Sequence, residues 1–255
     1  MDTFHFYQGS RPLLVSMPHV GLEIPRKIKE KMTDEALALN DTDWFIDRLY
    51  NFLEELDVSV ISAKYSRYVV DLNRGRDGLS LYPGQRVTGF CPKMTFDDCA
   101  LYKDKYEPDV ESRTKKYWQP YHDKINEELS RIKSKFGRAM LWDAHSIKSR
   151  VPGLFDGCLP DLNLGTGNGV TASHALVEKL DGIISKSSYS SALNGRFKGG
   201  YITRHYGKPK NNIHAVQLEI SQIIYMDESP NIKFQEQRAN KLRLILRALI
   251  ETMIE

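Results

Sequence analysis

The sequence of 255 residues has little cysteine, no long apolar run and no strong excess of charge of either sign. Its three cysteines, Cys91, Cys99 and Cys158, form no C-x-x-C pair, so they predict free thiols in a reducing compartment. No apolar run approaches the length of about 18 residues that a membrane-spanning helix needs. The N-terminus also lacks the basic and apolar regions of a signal peptide. We therefore expect a soluble cytoplasmic protein.

Several functional classes are disfavoured by what the chain does not contain. The net charge is only +3, and no dense Lys/Arg stripe is present, so we expect no nucleic-acid partner. The G-x-S-x-G nucleophile elbow is absent, and no cysteine lies in a recognisable nucleophile motif. The glycine-rich segment 165–169 lacks the G-K-[ST] ending of a phosphate loop, which favours a plain flexible loop.

Short apolar runs alternate with segments of helical periodicity along the whole chain. Strand-like runs lie at 12–16, 58–62, 67–71, 139–143, 160–164, 200–204 and 214–220. A helix start is expected at Thr33, and helical patterns cover 41–55, 111–136 and 232–254. This alternation predicts one α/β domain over residues 1–255, with a mostly parallel sheet covered on both faces. The segments 74–110 and 145–170 lack periodicity, and we expect them to be long active-site loops.

Two histidines follow well-separated apolar runs. His19 comes directly after the run 13–17 and Pro18, and His145 closes the segment 139–145. In open α/β sheets, ligands and catalytic side chains gather at the carboxyl ends of strands. The two histidines therefore predict a metal site or a catalytic site.

A hydrolytic zinc site needs a further protein ligand, usually a carboxylate or an imidazole. Asp41 and Asp43 lie near a predicted helix start, where they could supply that ligand or serve as helix caps. Asp143 could be a ligand itself, or it could fix the tautomer of an imidazole. The residues alone leave this choice open.

Cationic side chains flank other predicted strands. Arg67 lies at the start of one predicted strand, and Asn73 and Arg74 follow that strand. The planar guanidinium of an arginine binds a carboxylate through two hydrogen bonds, and a neighbouring amide adds a donor. Arg204 and His205 form a second cationic cluster. A solvated loop position is the alternative for Arg74.

Two further titratable residues lie on regular patterns. Glu219 falls near the end of the strand-like run 214–220, where a carboxylate partly removed from water is a good general base. An exposed strand face is the alternative. His122 lies on the apolar stripe of the segment 111–136, which favours a core histidine over a metal ligand.

The chain resembles the N-formylglutamate amidohydrolase family. The resembling segments are 16–21, 41–44, 65–74, 81–85, 118–122, 141–146, 154–157, 161–166, 194–207, 214–219 and 225–228. Together these segments cover nearly the whole chain, and several are long and have an unusual sequence, so the match is specific. The resemblance implies a fold similar to those of zinc carboxypeptidases and aspartoacylases, a three-layer α/β/α sandwich around a mixed sheet.

The resemblance also implies roles for individual residues. His19 and His145 would be ligands of one divalent metal, taken as zinc. Asn73 and Arg74 would hold a substrate carboxylate, and Glu219 would activate water.

The third metal ligand does not follow from the resemblance. The H-x-x-E pattern of carboxypeptidases is absent, because Leu22 stands where its glutamate would be. The candidates are Asp43, Glu23 and Asp143, and we take Asp43.

The activity that the resemblance implies is hydrolysis of N-formyl-L-glutamate to formate and L-glutamate, the last step of one route of histidine degradation. The two carboxylates of this substrate would be shared among Arg67, Asn73, Arg74, Arg204 and His205. Two alternatives are an amidohydrolase for another N-acyl amino acid, or a carboxypeptidase-like enzyme, and a non-catalytic anion-binding protein. We expect a monomer or a small homo-oligomer.

Overall fold

The computed structural model describes residues 2–78, 88–228 and 230–255. Its strands are β1 (Phe4–Tyr7), β2 (Leu13–Met17), β3 (Ser59–Ala63), β4 (Ala139–Ile147), β5 (Leu162–Gly165), β6 (Ser191–Leu193), β7 (Ile213–Ser221), β8 (Met226–Asp227) and β9 (Lys233–Phe234). The first seven form one sheet in the order β1-β3-β2-β4-β7-β5-β6. The four central strands β3, β2, β4 and β7 are parallel, whereas β1 and β5 run antiparallel to β3 and β7.

Helices cover both faces of this sheet. The α-helices among the described residues are α1 (Arg26–Lys29), α2 (Asp34–Leu37), α3 (Ile46–Leu49), α4 (Val110–Arg113), α5 (Gln119–Phe136), α6 (His174–Ser185), α7 (Tyr201–Tyr206) and α8 (Glu236–Ile254). Met140 and Trp142 of β4 pack with α3, α6 and α8, while Leu141 packs with α5 and α7. This alternation follows from the two-residue period of a strand. The predicted α/β architecture, with a mostly parallel mixed sheet between two helical layers, is confirmed.

Two of the predicted strands are wrong. The segment 67–71 forms a turn, in which Val69 N–H donates to Ser66 O at 2.8 Å. Its apolar side chains are buried, and Val70 packs in the core between the sheet and α5, but the segment pairs with no strand. Burial alone therefore explains the apolar run. The segment 200–204 belongs to α7, because Ile202 and Tyr206 lie one helical turn apart and both are buried against the sheet.

The predicted helix at 41–55 is wrong in extent. Only α3 and a 3₁₀ turn at Asn51–Leu53 are helical there, and Phe45 precedes α3 with a left-handed φ of 60°. Such a φ cannot continue a right-handed helix. The predicted start at Thr33 is confirmed, since Thr33 Oγ1 accepts the Ala36 N–H at 3.2 Å.

The long helical segment is confirmed over nearly its whole predicted length. Helix α4 continues into α5 through a π-helical turn at Thr114–Trp118, and Pro120 lies in the first turn of α5. Gly137 ends the helix with a φ of 72°, a conformation that glycine adopts without strain.

Strand β4 is longer than predicted and continues through Ile147, with every residue buried. The segment 145–170 therefore contains the end of β4 and the whole of β5, and residues 148–161 between them have no helix or strand. Residues 79–87, which include the resembling segment 81–85, lie outside the described residues. Within the described ranges, no helix has the length and apolar character needed to cross a membrane.

His122 is a core histidine, as predicted. Its Nε2 lies 2.9 Å from Leu72 O, and its Nδ1 lies 2.9 Å from the hydroxyl of Tyr206. Burial lowers the pKa of His122 to about 3. An unfolded histidine has a pKa of about 6.5, so the unfolded chain takes up a proton on acidification that the folded protein does not.

This difference predicts that the free energy of unfolding falls by about 2 kcal/mol between about pH 7.5 and pH 5, from His122 alone. The variant His122→Gln should lose this contribution, which urea unfolding at both pH values would measure. His174→Gln is the matched control, because the His174 side chain is exposed. If the free energy of unfolding of His122→Gln depended on pH as strongly as that of the wild type, His122 would not be the source of this contribution.

Candidate active site

The register of two central strands places a candidate metal ligand and the candidate general base side by side. In the parallel pair β4 and β7, His145 is the direct neighbour of Glu219. By the two-residue period, Asp143, His145 and Glu219 share the face on which Leu141 and Ala215 pack under α5 and α7. The apolar layer on this face therefore ends in a polar site toward the carboxyl ends of the strands.

Three predicted metal ligands meet at this edge of the sheet. Ligand atoms of His19, Asp43 and His145 all lie within 4.8 Å of one another, and all three residues are buried. Asp43 Oδ2 lies 2.8 Å from His145 Nδ1 and 3.7 Å from His19 Nδ1. Asp43 N–H donates to the backbone oxygen of His19 at 3.1 Å, which joins the two segments.

The second nitrogen of each imidazole faces a carboxylate. His19 Nε2 lies 2.8 Å from Asp71 Oδ1, and the other oxygen of Asp71 accepts from Arg67 Nη2 at 2.7 Å. His145 Nε2 lies 3.2 Å from Asp143 Oδ2. When each Nε2 carries the proton, both Nδ1 lone pairs point toward the Asp43 carboxylate.

This arrangement fits a bound cation. His19 Nδ1 is buried and has no hydrogen-bond partner among the described residues. In the tautomer with both protons on Nε2, two imidazole lone pairs and one carboxylate face each other, and they repel unless a positive charge lies between them. Two histidines and a carboxylate are a donor set that zinc uses in hydrolases.

Electrostatics keep the acceptors of the site ionised. Burial would raise the pKa of Asp43, but His19 and His145 outweigh it, and the pKa is lowered. Burial would likewise raise the pKa of Asp71, but Arg67 and His19 hold it well below its usual range. For His145, burial disfavours the charged form, yet Asp143 and Asp43 raise its pKa well above the ordinary value. The cluster therefore attracts positive charge, whether protons or a metal ion.

Glu219 has the properties of a base at the edge of this cluster. It is 7% exposed, and burial raises its pKa to about 8 against the opposing charge of His145. Gln217 Nε2 donates to Glu219 Oε2 at 3.1 Å, which fixes one oxygen of the carboxylate. A carboxylate with a pKa near neutrality accepts and returns protons efficiently.

A cavity of about 550 Å³, counted with its open mouth, lies over these groups. Its lining consists of His19, Arg67, Asn73, Arg74, Thr88, Phe96, His145, Ser146, Ile147, Leu154, Arg196, Phe197, Gly200, Gln217 and Glu219. The cavity thus brings together both histidines, the candidate base and three arginines. Such a convergence of polar groups in one cleft is typical of an active site.

Two of the three arginines are oriented by the backbone around the cavity. Arg74 donates to Thr88 O at 3.0 Å and to Asn73 O at 2.9 Å. Arg196 Nε donates to Leu154 O at 2.7 Å. Arg196 follows the three-residue strand β6, and no sequence motif marks it as a site residue. The only available signal was its place inside the resembling segment 194–207.

Four other candidates lie away from the cluster and the cavity lining. Arg204 Nε donates to Gly199 O, and His205 is exposed and stacks on the ring of Tyr201. Glu23 is exposed and lies 3.6 Å from Lys64 Nζ. Asp41 accepts the N–H of Phe96 at 2.9 Å. The geometry therefore favours Asp43 as the third ligand of the cluster.

Comparisons with known proteins agree on one family. The sequence model of the N-formylglutamate amidohydrolase family matches residues 11–226. The N-formylglutamate deformylase of Pseudomonas aeruginosa is 48% identical, with 99% of this chain and 96% of the relative covered. That of Pseudomonas putida is 46% identical, with 98% and 94% covered. The crystal structure of an N-formylglutamate amidohydrolase from Ralstonia eutropha JMP134 superimposes with a TM-score of 0.82 at 22% identity, covering 99% of this chain and 97% of its own.

Proposed function

The chain belongs to the N-formylglutamate amidohydrolase family, and we propose that it hydrolyses N-formyl-L-glutamate to formate and L-glutamate. The observation that carries the proposal is the meeting of His19, Asp43 and His145 with Glu219 under one arginine-lined cavity. The relatives named N-formylglutamate deformylase support the choice of substrate. In that role the enzyme would act in the cytoplasm at the end of a histidine degradation route, as a monomer or a small homo-oligomer.

The proposed cofactor is one divalent cation, zinc, held by His19 Nδ1, His145 Nδ1 and the Asp43 carboxylate. The buried and unpartnered Nδ1 of His19 supports this ligand set. When bound, the cation supplies Lewis acidity that polarises the formyl carbonyl and stabilises the negative charge on its oxygen. Asp71 and Asp143 keep the two imidazoles turned toward the site.

Glu219 is the proposed general base and general acid. It takes a proton from water as the water oxygen attacks the formyl carbon. It then delivers that proton to the amide nitrogen as the C–N bond breaks, which releases formate and the amine of L-glutamate. The raised pKa of Glu219 suits both transfers, since the protonated and ionised forms are both accessible near neutral pH.

The arginines of the cavity are the proposed partners of the two substrate carboxylates. Arg67, Arg74 and Arg196 all line the cavity, and each guanidinium is anchored by at least one hydrogen bond to the protein. An anchored guanidinium loses little conformational entropy when it binds an anion. The predicted contributions of Arg204 and His205 are not part of the proposal, because both lie outside the lining.

Arg74→Lys is expected to raise KM for N-formyl-L-glutamate about tenfold, with a much smaller change in kcat. A lysine keeps the positive charge but cannot reproduce the planar pair of donors. Steady-state kinetics measure both constants. Arg204→Lys is the matched control and should leave KM within about twofold of the wild-type value. An unchanged KM in Arg74→Lys would remove Arg74 from substrate binding.

The substrate assignment is tested by comparing three compounds at equal concentration. We expect kcat/KM for formate release from N-formyl-L-glutamate to exceed that for N-formyl-L-aspartate by at least about tenfold, which corresponds to about 1.4 kcal/mol of lost transition-state stabilisation. We expect the deacylation of N-acetyl-L-glutamate to be slower still. Preferred cleavage of the acetyl compound would instead support an amidohydrolase for other N-acyl amino acids. Binding of all three compounds without any turnover would support an anion-binding protein.

A further inference from the structure

We propose that Gln222 and Tyr225 are positioning residues that hold the turn carrying Asp43 where the cation site requires it. This turn, residues 42–44, belongs to no helix or strand, so contacts from other elements must fix its place. Tyr225 is the first residue of the resembling segment 225–228, which contributes no residue to the cluster or the cavity lining. The inference rests on the proposed function, because the cation site belongs to it.

The carbonyl groups on both sides of Asp43 accept hydrogen bonds from these two side chains. Gln222 Nε2 donates to Thr42 O at 2.9 Å, and the hydroxyl of Tyr225 donates to Trp44 O at 2.6 Å. Gln222 is 2% exposed and Tyr225 is fully buried, so water cannot easily replace either donor. The backbone is therefore held immediately before and immediately after the candidate ligand.

Ser146 connects the two side chains to the sheet. Its Oγ lies 2.8 Å from the Tyr225 hydroxyl and 3.3 Å from Gln222 Nε2. A backbone carbonyl only accepts, so the single hydroxyl proton of Tyr225 is used by Trp44 O. Ser146 therefore donates to the Tyr225 hydroxyl and accepts from Gln222. Every proton of this network has an acceptor, and the network ties the turn to β4.

The network lies behind the site rather than in it. Ser146 follows His145 in β4, and by the two-residue period its side chain lies on the opposite face of the sheet. Gln222 comes directly after β7, three residues beyond Glu219. The network thus joins the strand of one candidate ligand, the strand of the candidate base and the turn of another ligand.

The backbone next to the turn also depends on its surroundings. Phe45 follows the turn with a φ of 60°, and a residue other than glycine keeps such a conformation only where its neighbours impose it. The ring of Phe45 packs on Phe234 with centroids 5.6 Å apart, and Phe234 lies 6.2 Å from the ring of Tyr225. Tyr225 therefore supports the turn through its hydroxyl and, by way of Phe234, through its ring.

The expected consequence is a loss of cation affinity when either hydrogen bond to the turn is removed. Hydrogen-bond partners around metal ligands typically contribute about 10- to 100-fold in metal affinity. Because Gln222 and Tyr225 act through the backbone beside Asp43, we expect the lower end of this range. Tyr225→Phe and Gln222→Met, which keep most of the side-chain volume, should each raise the Kd for Zn²⁺ by about tenfold.

Tyr50→Phe is the matched control. Tyr50 is also buried in the core on this face of the sheet, and its hydroxyl accepts from Trp142 Nε1 at 3.0 Å rather than contacting the turn. The variant therefore loses a buried hydroxyl, as Tyr225→Phe does, without releasing Asp43. We expect its Kd for Zn²⁺ to stay within about threefold of the wild-type value.

The experiment is a competition titration of Zn²⁺ between a chromophoric chelator and each purified full-length protein, followed by visible spectra of the Co²⁺-loaded proteins. Tyr225→Phe and Gln222→Met should change the cobalt spectrum, which reports the arrangement of the ligands, whereas Tyr50→Phe should keep the wild-type spectrum. At saturating Zn²⁺, the KM of both test variants should stay within about threefold of wild type, because neither side chain is among the described residues that line the cavity.

A wild-type Kd and a wild-type cobalt spectrum in folded Tyr225→Phe would overturn the proposal, and so would an equal rise of the Kd in Tyr50→Phe. Gln222→Met removes a different hydrogen bond to the same turn, so the test does not depend on one variant folding. A wild-type protein that binds no Zn²⁺ would instead overturn the proposed cation site itself. Failure of this inference and failure of the proposed function are thus separate outcomes.

Discussion

Replacing Glu219 by glutamine is expected to lower kcat for N-formyl-L-glutamate by about 10²- to 10⁴-fold, with Zn²⁺ affinity nearly unchanged. Glutamine keeps the size of the side chain and the oxygen that could accept from Gln217, but it cannot take a proton from water. Glu219 is not among the three residues whose ligand atoms cluster, so the cation site should survive. Steady-state kinetics and a Zn²⁺ titration of the same preparation measure the two properties separately.

Glu23→Gln is the matched control for this variant. Glu23 is exposed beside Lys64, away from the cavity lining, and its replacement should leave both kcat and Zn²⁺ affinity unchanged. A kcat in Glu219→Gln within about threefold of wild type would remove Glu219 from the proton transfers. Loss of bound Zn²⁺ in Glu219→Gln would show instead that this carboxylate belongs to the cation site.

Replacing Asp43 by asparagine is expected to abolish both Zn²⁺ retention and formate release. Asp43 carries the one negative charge inside the cluster, and its Oδ2 lies 2.8 Å from His145 Nδ1. An asparagine presents a neutral oxygen, or an N–H₂ that competes with the cation for the histidine lone pairs. Loss of a hydrogen-bond partner of a metal ligand lowers metal affinity by up to about 100-fold. Because Asp43 is itself a proposed ligand, we expect Zn²⁺ affinity to fall by more than this factor.

Asp41→Asn is the matched control, because Asp41 is also buried and lies only two residues away. Its carboxylate accepts the Phe96 N–H and contributes no ligand atom to the cluster. We expect this variant to retain one equivalent of Zn²⁺ and most of its activity. Equal loss of Zn²⁺ in Asp41→Asn and Asp43→Asn would indicate that the whole turn is required rather than the Asp43 carboxylate.

Most of the sheet and the long helices α5 and α8 were predictable because strand and helix periods are local properties, whereas the short edge strands β1 and β6 and helix α6 were not predicted. The runs that became β2, β3, β4, β5 and β7 each lie within a few residues of their predicted bounds. The errors at 67–71 and 200–204 have a common cause. Both segments are apolar because they are buried, and burial does not distinguish a strand from a turn or a short helix. In α7 the spacing of Ile202 and Tyr206 was the overlooked helical signal.

The parts of the candidate site that lie on strands were the ones that periodicity could predict. His145 and Glu219 share a register because β4 and β7 are neighbours, and sequence patterns indicate both strands. The approach of Asp43 to His19 depends on a loop contact, Asp43 N–H to His19 O, which no spacing encodes. Arg196 reaches the cavity for the same kind of reason, because its loop is held by the backbone of Leu154. Loop packing is a tertiary property, so the sequence patterns left Asp43 as one of three candidate ligands and did not mark Arg196 as a site residue.

We propose that this chain hydrolyses N-formyl-L-glutamate with one divalent cation held by His19, Asp43 and His145. The most direct measurement is formate release by chelator-treated protein as Zn²⁺ is added in substoichiometric steps. We expect the rate to rise in proportion to Zn²⁺ and to level off at about one equivalent. Full activity in protein with less than about a tenth of an equivalent of metal, or no formate at any Zn²⁺ level, would contradict the claim.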